Sequence, residues 1–186
     1  MGSYAVFLRG INVGGINIKM ADLRDALKSS GFADAKTLLA SGNVVLASGL
    51  DAAGVKRECE KALRAAFGYE AWVVVLPAGR VADLVAACPY PEDDKSTHSY
   101  ITLSSDHAVL DELDAAGQAL GDVHRQHRLG PEALAWLAPA GGTLDSPFSK
   151  ISSKAKFKAA TTTRNLRTMI KVRDAAAGLE AAGAKG

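Results

Sequence analysis

Cysteine is scarce in this sequence, and its placement argues against both a disulfide framework and a metal site. The 186 residues contain two cysteines, Cys59 and Cys88, which lie far apart in the chain. Each falls on the apolar side of a predicted helix, and neither has a second cysteine at the spacing of a zinc ligand pair. We therefore expect two buried free thiols.

Long apolar runs are also missing. No stretch approaches the roughly 18 apolar residues that a membrane helix needs. The first ten residues do not combine a charged region with a long apolar stretch and a cleavage site, as a signal peptide would. With 48% hydrophobic and 23% charged residues, the chain has enough apolar material for a core. We expect a globular cytoplasmic protein that has no membrane partner.

Acidic residues are missing from one long stretch near the end of the chain. Residues 1–147 carry 13 Lys and Arg against 18 Asp and Glu, a net charge of −5, whereas residues 148–186 carry 9 against 2, a net charge of +7. This asymmetry indicates an anionic partner, but a basic face packed on the acidic body of the same chain would also explain it. The acid-free stretch holds eight cations: Lys150, Lys154, Lys156, Lys158, Arg164, Arg167, Lys171 and Arg173.

Motifs for nucleotide cofactors and for nucleophilic catalysis are absent. Gly10–Gly15 reads GINVGG, which has neither the lysine of a phosphate-binding P-loop nor the spacing of a dinucleotide fingerprint. Nothing near Ser41, Ser149 or Ser153 marks an activating histidine or acid. We expect no cofactor, and the sequence identifies no catalytic residue.

Metal binding by histidine is not indicated either. His124 and His127 are three residues apart on a predicted strand, where their side chains face opposite sides. His98 and His107 have no cysteine or carboxylate at ligand spacing. We expect no metal.

The opening stretch, Tyr4–Gly15, is the most distinctive part of the sequence. Tyr4–Leu8 has the composition of a buried strand, and it leads directly into Arg9, Asn12 and the pair Gly14-Gly15. Such a loop can offer a guanidinium and backbone N–H groups to an anion. The glycines would serve equally well simply to turn the chain.

The first part of the chain follows the order strand, helix, strand, strand, helix, strand. This order predicts an α+β protein whose first subdomain, residues 1–77, has the ferredoxin-like arrangement. The opening strand would then lie centrally in its sheet. The predicted elements are a helix over 19–30, two strands over 36–40 and 44–47 joined by Ser41-Gly42-Asn43, a helix capped by Asp51 and ended by Gly68, and a strand over 72–76.

The rest of the chain, residues 78–186, predicts a second α/β subdomain with basic helices at its end, although the pattern does not repeat cleanly. One helix is expected over 146–157 and another from Arg164 to about Leu179. Thr161-Thr162-Thr163 would supply a hydroxyl cap for the last helix. Arg164 in its first turn would oppose the helix dipole, which either a bound anion or a carboxylate of the acidic body would offset.

Several of these segments together resemble the bacterial domain-of-unknown-function family 1697. The resemblance covers essentially the whole chain, and it implies an α+β protein of two subdomains with no known activity. This sequence departs from the family pattern after the Arg-Asn pair, where Leu166 and Arg167 replace the usual tryptophan and asparagine. The matching segments are FLRGINVGG at 7–15, KMADL at 19–23, SGNVV at 41–45, Ser149-Lys150 and Thr163-Arg164-Asn165.

Three functions remain open from the sequence. The first is binding of a phosphorylated or other anionic small molecule in a cleft between the subdomains, with or without an enzymatic reaction. The second is nucleic-acid binding by the basic surface without base-specific readout, since the aromatic signature of an RNA-recognition motif is missing. The third is that the arginines are structural. The candidate ligand-binding residues are Arg9, Asn12, Gly14, Gly15, Ser41, Asn43, Lys150, Arg164 and Asn165.

Overall fold

The computed structural model describes residues 1–11, 17–68, 70–92, 95–121 and 126–183. The strands are β1 Gly2–Leu8, β2 Lys36–Leu38, β3 Asn43–Ser48, β4 Val73–Pro77, β5 Thr97–Ser104, β6 Gln126–Gly130, β7 Ala133–Pro139 and β8 Thr161–Asn165. The α-helices are α1 Met20–Ser29, α2 Ala52–Phe67, α3 Ala78–Ala87, α4 His107–Gln118, α5 Pro147–Ser152, α6 Ala155–Lys158 and α7 Leu166–Gly183, and Thr143–Asp145 is a 3-10 turn.

The chain folds as two compact units. The first consists of Met1–Ala82 and Ile170–Gly186, and the second of Asp83–Met169. Helices α3 and α7 each run across a unit boundary. The subdomain limits expected from the sequence, 1–77 and 78–186, stay a prediction.

The first unit contains a four-stranded antiparallel sheet with the strand order β2-β3-β1-β4. This order confirms the ferredoxin-like arrangement, with β1 in a central position. One face of the sheet and helices α1 and α2 enclose a core of fully buried side chains, among them Leu8, Leu23 and Leu63. The core forms because apolar residues alternate along the strands and recur at helical spacing along α1 and α2.

Helix α2 begins and ends where the sequence predicted. The Asp51 carboxylate accepts a hydrogen bond of 2.7 Å from the backbone N–H of Gly54. Gly68 ends the helix in the left-handed conformation, with φ of +65°. Both signals are local, so they could be identified without knowledge of the tertiary structure.

The turn from β2 to β3 lies beside the carboxyl end of β1. Phe7 pairs with Asn43 across the sheet, and the backbone N–H of Leu8 donates to the Gly42 carbonyl over 2.9 Å. The sequence did not determine whether this turn and the end of β1 lie at the same end of the sheet. The segment that leads to Arg9 and the Ser41-Gly42-Asn43 turn therefore share one end of the sheet.

The second unit has the same strand order as the first. Its sheet reads β6-β7-β5-β8, so the strands have the spatial order second, third, first, fourth in both units. The sequence pattern did not reveal this repetition, because the second crossover is a 3-10 turn followed by two short helices. The α+β architecture with two sheets is confirmed.

The core of the second unit is formed by one face of its sheet and helices α4, α5 and α6. Trp136 is 3% exposed; its ring stacks on Tyr100 with the centroids 4.7 Å apart and lies 5.2 Å from the ring of Phe148. Such aromatic pairs each stabilise the fold by about 0.5 to 1.5 kcal/mol beyond the burial of their surface.

The prediction of a threonine cap for the last helix was wrong. Thr161–Asn165 forms strand β8, which pairs antiparallel with β5, and the helix begins only at Leu166. Three consecutive β-branched residues favour an extended backbone, and the partner strand supplies the hydrogen bonds. Arg164 is therefore a strand residue, and the argument that it opposes a helix dipole does not apply.

The prediction of one helix over 146–157 was also wrong. Two short helices, α5 and α6, occupy this stretch, and the chain leaves the first of them at Ser153. The Ser152 hydroxyl donates to the Ser149 carbonyl over 3.0 Å, and the Ser153 hydroxyl donates to the Lys150 carbonyl over 2.8 Å. Serine side chains that bond to the local backbone in this way compete with a continuous helix.

Within the described residues, no helix combines the length and the apolar character that crossing a membrane requires.

Candidate functional site

Arg164 is the most unusual of the predicted site residues, because its charged side chain is only 7% exposed. It lies on β8, an edge strand of the second sheet. Its Nη1 donates to the Thr162 hydroxyl over 2.7 Å and to the Thr163 carbonyl over 2.9 Å. Arginine is almost never this deeply buried unless its charge serves a partner.

Burial lowers the pKa of Arg164 well below its usual value, to about 10. The guanidinium is still protonated at neutral pH, so the protein carries a desolvated positive charge on this strand. Because the folded-state pKa lies below the unfolded value, the charge opposes folding at pH values below about 10, and this penalty fades as the pH rises from there towards the unfolded pKa. Negative charge placed near the guanidinium would raise its pKa and stabilise the fold.

Asn165 acts as the N-terminal cap of helix α7. Its side-chain oxygen accepts a hydrogen bond of 2.8 Å from the backbone N–H of Arg167. This contact satisfies one of the free N–H groups of the first turn. Asn165 follows Arg164 directly, so the cap also determines where the strand becomes helix.

Arg9 lies against a tryptophan that the sequence did not single out. Its backbone N–H donates to the Trp72 carbonyl over 3.0 Å, and its guanidinium carbon is 5.7 Å from the centroid of the Trp72 ring. Lys56 Nζ is 4.6 Å from the same centroid, and it donates to Glu60 over 2.6 Å and to the Val73 carbonyl over 2.6 Å. The indole thus holds two cations at the edge of the first sheet.

Ser41 and Asn43 contact each other directly. The Asn43 amide nitrogen donates to the Ser41 hydroxyl and to the Leu38 carbonyl, both over 2.9 Å. Asn43 is 0% exposed. The pair braces the turn from β2 to β3, a structural role that the sequence did not distinguish from ligand contact.

Lys150 lies on α5 and is exposed to solvent. The other cations of the acid-free stretch do not form a uniform group. Lys156 is paired with Glu112 over 2.8 Å, and Arg173 is paired with Asp174 over 2.8 Å. Arg164 is buried, so it does not contribute to a solvated basic surface.

Three of the predicted site residues, Asn12, Gly14 and Gly15, lie outside the described residues. His124 does so too. Among the residues that are described, no group of three or more His, Cys, Asp or Glu could hold a metal ion. Cys59 and Cys88 are free thiols, and burial raises the pKa of Cys59 to about 12. Cys59 is fully buried, as expected, whereas Cys88 is half-buried.

A cavity of about 570 Å³ in the first unit contains none of the predicted site residues. It is lined by residues of the sheet and of the end of α7, including Ser3, Lys36, Ala47 and Leu179. Its rim carries charges of both signs, from Asp34, Lys36 and Glu180. Such a lining does not select for an anion.

The structure divides the predicted site residues into two sets. Arg9, Ser41 and Asn43 belong to the first unit, and Lys150, Arg164 and Asn165 belong to the second. Sequence reasoning missed Trp72 and Lys56, which contact Arg9 or the same indole. The signal for Trp72 was its place at the start of the strand predicted over 72–76, but only the pairing of β1 with β4 brings it to Arg9.

Comparisons with known proteins agree with this architecture. A model of the family described as "Protein of unknown function (DUF1697)" matches residues 1–129. The solved structure of the conserved bacterial protein SP0830 from Streptococcus pneumoniae is similar, with a TM-score of 0.78 and 20% sequence identity. The match covers 95% of this chain and 98% of that chain, and at this identity it shows the fold alone. None of the curated proteins matches this sequence.

Proposed function

The chain belongs to the DUF1697 family of proteins of unknown function, and on this premise we propose that it binds a phosphorylated or otherwise anionic small molecule through Arg164. The guanidinium is the anion-binding group, and Thr162 orients it. The predicted site residues of the same unit, Lys150 and Asn165, are candidates for secondary contacts. Whether a reaction follows binding is left open, and the cytoplasmic location stays a prediction.

The observation that carries this proposal is the burial of Arg164, at 7% exposure, with a pKa lowered to about 10 by desolvation. A desolvated cation interacts with an anion far more strongly than an exposed one does, because less water screens the charges. The guanidinium also presents its donors as a planar fork, which matches the geometry of phosphate and carboxylate oxygens.

Nucleic acid is the second candidate partner, favoured by three exposed lysines: Lys150 of α5, Lys154 between the two helices and Lys158 of α6. Binding of this kind depends on phosphate contacts at the surface and weakens steeply as salt is added. A buried guanidinium contributes little to it. The two candidates therefore differ in which residues they require and in how they respond to salt.

The test is a thermal-shift screen of the full chain against inorganic phosphate, sulfate, citrate, nucleotides, sugar phosphates and a short RNA, at low and high salt. A ligand at 100 times its dissociation constant stabilises the native state by about 2.7 kcal/mol, which for a protein of this size raises the melting temperature by about 5 to 10 °C. We expect such a shift from at least one small anion. Arg164→Met should abolish it, because the variant keeps the apolar stem and loses the charge.

Lys171→Met is the control for charge: it removes an exposed cation and changes the net charge equally, so it should leave the shift intact. The shift should also fade as the pH rises through about 10, where Arg164 loses its proton. Lysines titrate in the same range, so the substitutions, and not the pH profile, identify Arg164. If no small anion shifts the melting temperature, or if Arg164→Met responds like the parent, the proposal is wrong. A shift from RNA alone that disappears at high salt would favour the lysines instead.

A further inference from the structure

Two linked hydrogen bonds, one buried and one partly buried, connect the core of the second unit to the strand that carries Arg164. The Trp136 indole N–H donates to the Thr102 hydroxyl over 3.0 Å. The Thr102 hydroxyl lies 2.8 Å from the Thr163 hydroxyl, and either of these two can donate. Thr102 is 0% exposed and Trp136 is 3% exposed, so these groups have little access to water.

The two threonines are opposite each other in the sheet. Thr102 of β5 is the register partner of Thr163 of β8, and the neighbouring pair is Ile101 with Arg164. In the strand order β6-β7-β5-β8, β8 has a neighbour in the sheet on one side only. An edge strand is held by fewer contacts than a central one, so a side-chain pair that fixes its register has a large influence on its position.

The register of β8 determines where the Arg164 guanidinium lies. Successive side chains of a strand point to opposite faces, so Thr163 and Arg164 do too, and Thr163 faces the aromatic core with Thr102 and Trp136. A slip by one residue would exchange the two faces. Trp136 holds the Thr102 hydroxyl in one position. A buried indole N–H needs a hydrogen-bond acceptor, and the Thr102 hydroxyl is that acceptor.

We propose that Thr102 and Thr163, held in place by the Trp136 indole, are positioning residues for the anion site at Arg164. This inference rests on the proposed function. The cross-strand hydroxyl pair fixes β8 against β5, and the fixed strand holds the guanidinium where it meets the anion. A binding group held in one geometry binds more tightly than one that has to be ordered on binding.

The test compares Thr163→Val with Thr163→Ser. Valine has nearly the same shape and favours strands but lacks the hydroxyl, whereas serine retains it. Titration calorimetry with inorganic phosphate should show that Thr163→Val weakens binding about tenfold, the equivalent of one hydrogen bond. Thr163→Ser should bind like the parent. In the absence of ligand, amide hydrogen exchange of Thr162–Asn165 should be faster in the valine variant and restored in the serine variant.

Leu113→Ala is the control for a general loss of stability. Leu113 is fully buried on α4 in the same core. Its truncation should destabilise the unit more than Thr163→Val does and leave the phosphate affinity unchanged. The inference is overturned if Thr163→Val binds phosphate as the parent does, or if Leu113→Ala weakens binding equally. If the parent binds no phosphate, the proposed function fails for this ligand and the positioning role for it fails too. Hydrogen exchange at β8 then shows only whether the hydroxyl pair holds the strand: unchanged rates in Thr163→Val would overturn that as well.

Discussion

Gly42→Ala is expected to lower the free energy of unfolding of the first unit by about 3 kcal/mol, through backbone strain of about 1 kcal/mol and steric overlap of about 1 to 3 kcal/mol. Gly42 has φ of +71°, which residues with a side chain rarely adopt. A Cβ atom at this position would lie 2.5 Å from Ile11 Cδ1 and 3.0 Å from Leu8 Cβ. Both neighbours are buried, so neither can move away easily.

Substitutions at two other glycines separate the contribution of backbone strain from that of steric overlap. Gly10 has φ of +72°, and a Cβ atom added there would have no other atom within 4 Å, so Gly10→Ala should lose only the backbone term, about 1 kcal/mol. Gly49 has neither a positive φ nor a close neighbour, so Gly49→Ala should change stability little. Urea unfolding followed by Trp72 fluorescence in a Trp136→Phe background reports on the first unit. Equal midpoints for Gly42→Ala and Gly10→Ala would show that the overlap is relieved elsewhere.

Asn43→Ala is the second change with a large expected effect, a loss of about 2 to 3 kcal/mol of unfolding free energy. The substitution removes hydrogen bonds to the Leu38 carbonyl and the Ser41 hydroxyl and leaves a small cavity at a fully buried position. The matched control is Ser41→Ala. Ser41 is exposed, so its loss should cost less than about 1 kcal/mol, near the net value of a single hydrogen bond.

The same variants separate a structural role from ligand binding. If Asn43 only braces the turn, Asn43→Ala lowers the melting temperature but keeps the full anion-dependent shift of the parent. A shift lost in Asn43→Ala and retained in Gly42→Ala, which destabilises the same turn, would instead return Asn43 to the binding residues. The comparison is informative because the two positions are adjacent and differ in whether a polar group is removed.

Much of the first unit could be predicted from local signals. Asp51 caps α2 through a residue three positions away, and Gly68 ends it through its own backbone conformation. The Ser41-Gly42-Asn43 turn was likewise visible, because Gly42 needs a positive φ. Interactions of this kind involve residues close in sequence, so their pattern is readable without the tertiary structure.

Strand β8 could not be predicted in the same way. Thr102 and Thr163, whose hydroxyls meet at 2.8 Å, are 61 residues apart in the sequence. The Thr161-Thr162-Thr163 run is compatible with both a helix cap and a strand, and pairing with β5 decides in favour of the strand. The β-branched side chains were a signal for it, but one that gains force only when a partner strand is available.

The amino-acid sequence was sufficient for the α+β class, the order of the elements in the first unit, the ends of α2 and the identity of the family. These depend on periodicity, caps and turn residues, which act over a few positions. The folded chain was needed to establish that Arg164 is a buried strand residue, that Asn43 braces a turn, and that both units share one strand order. Burial and strand pairing depend on residues brought together from distant parts of the chain, and no local pattern records which ones will meet.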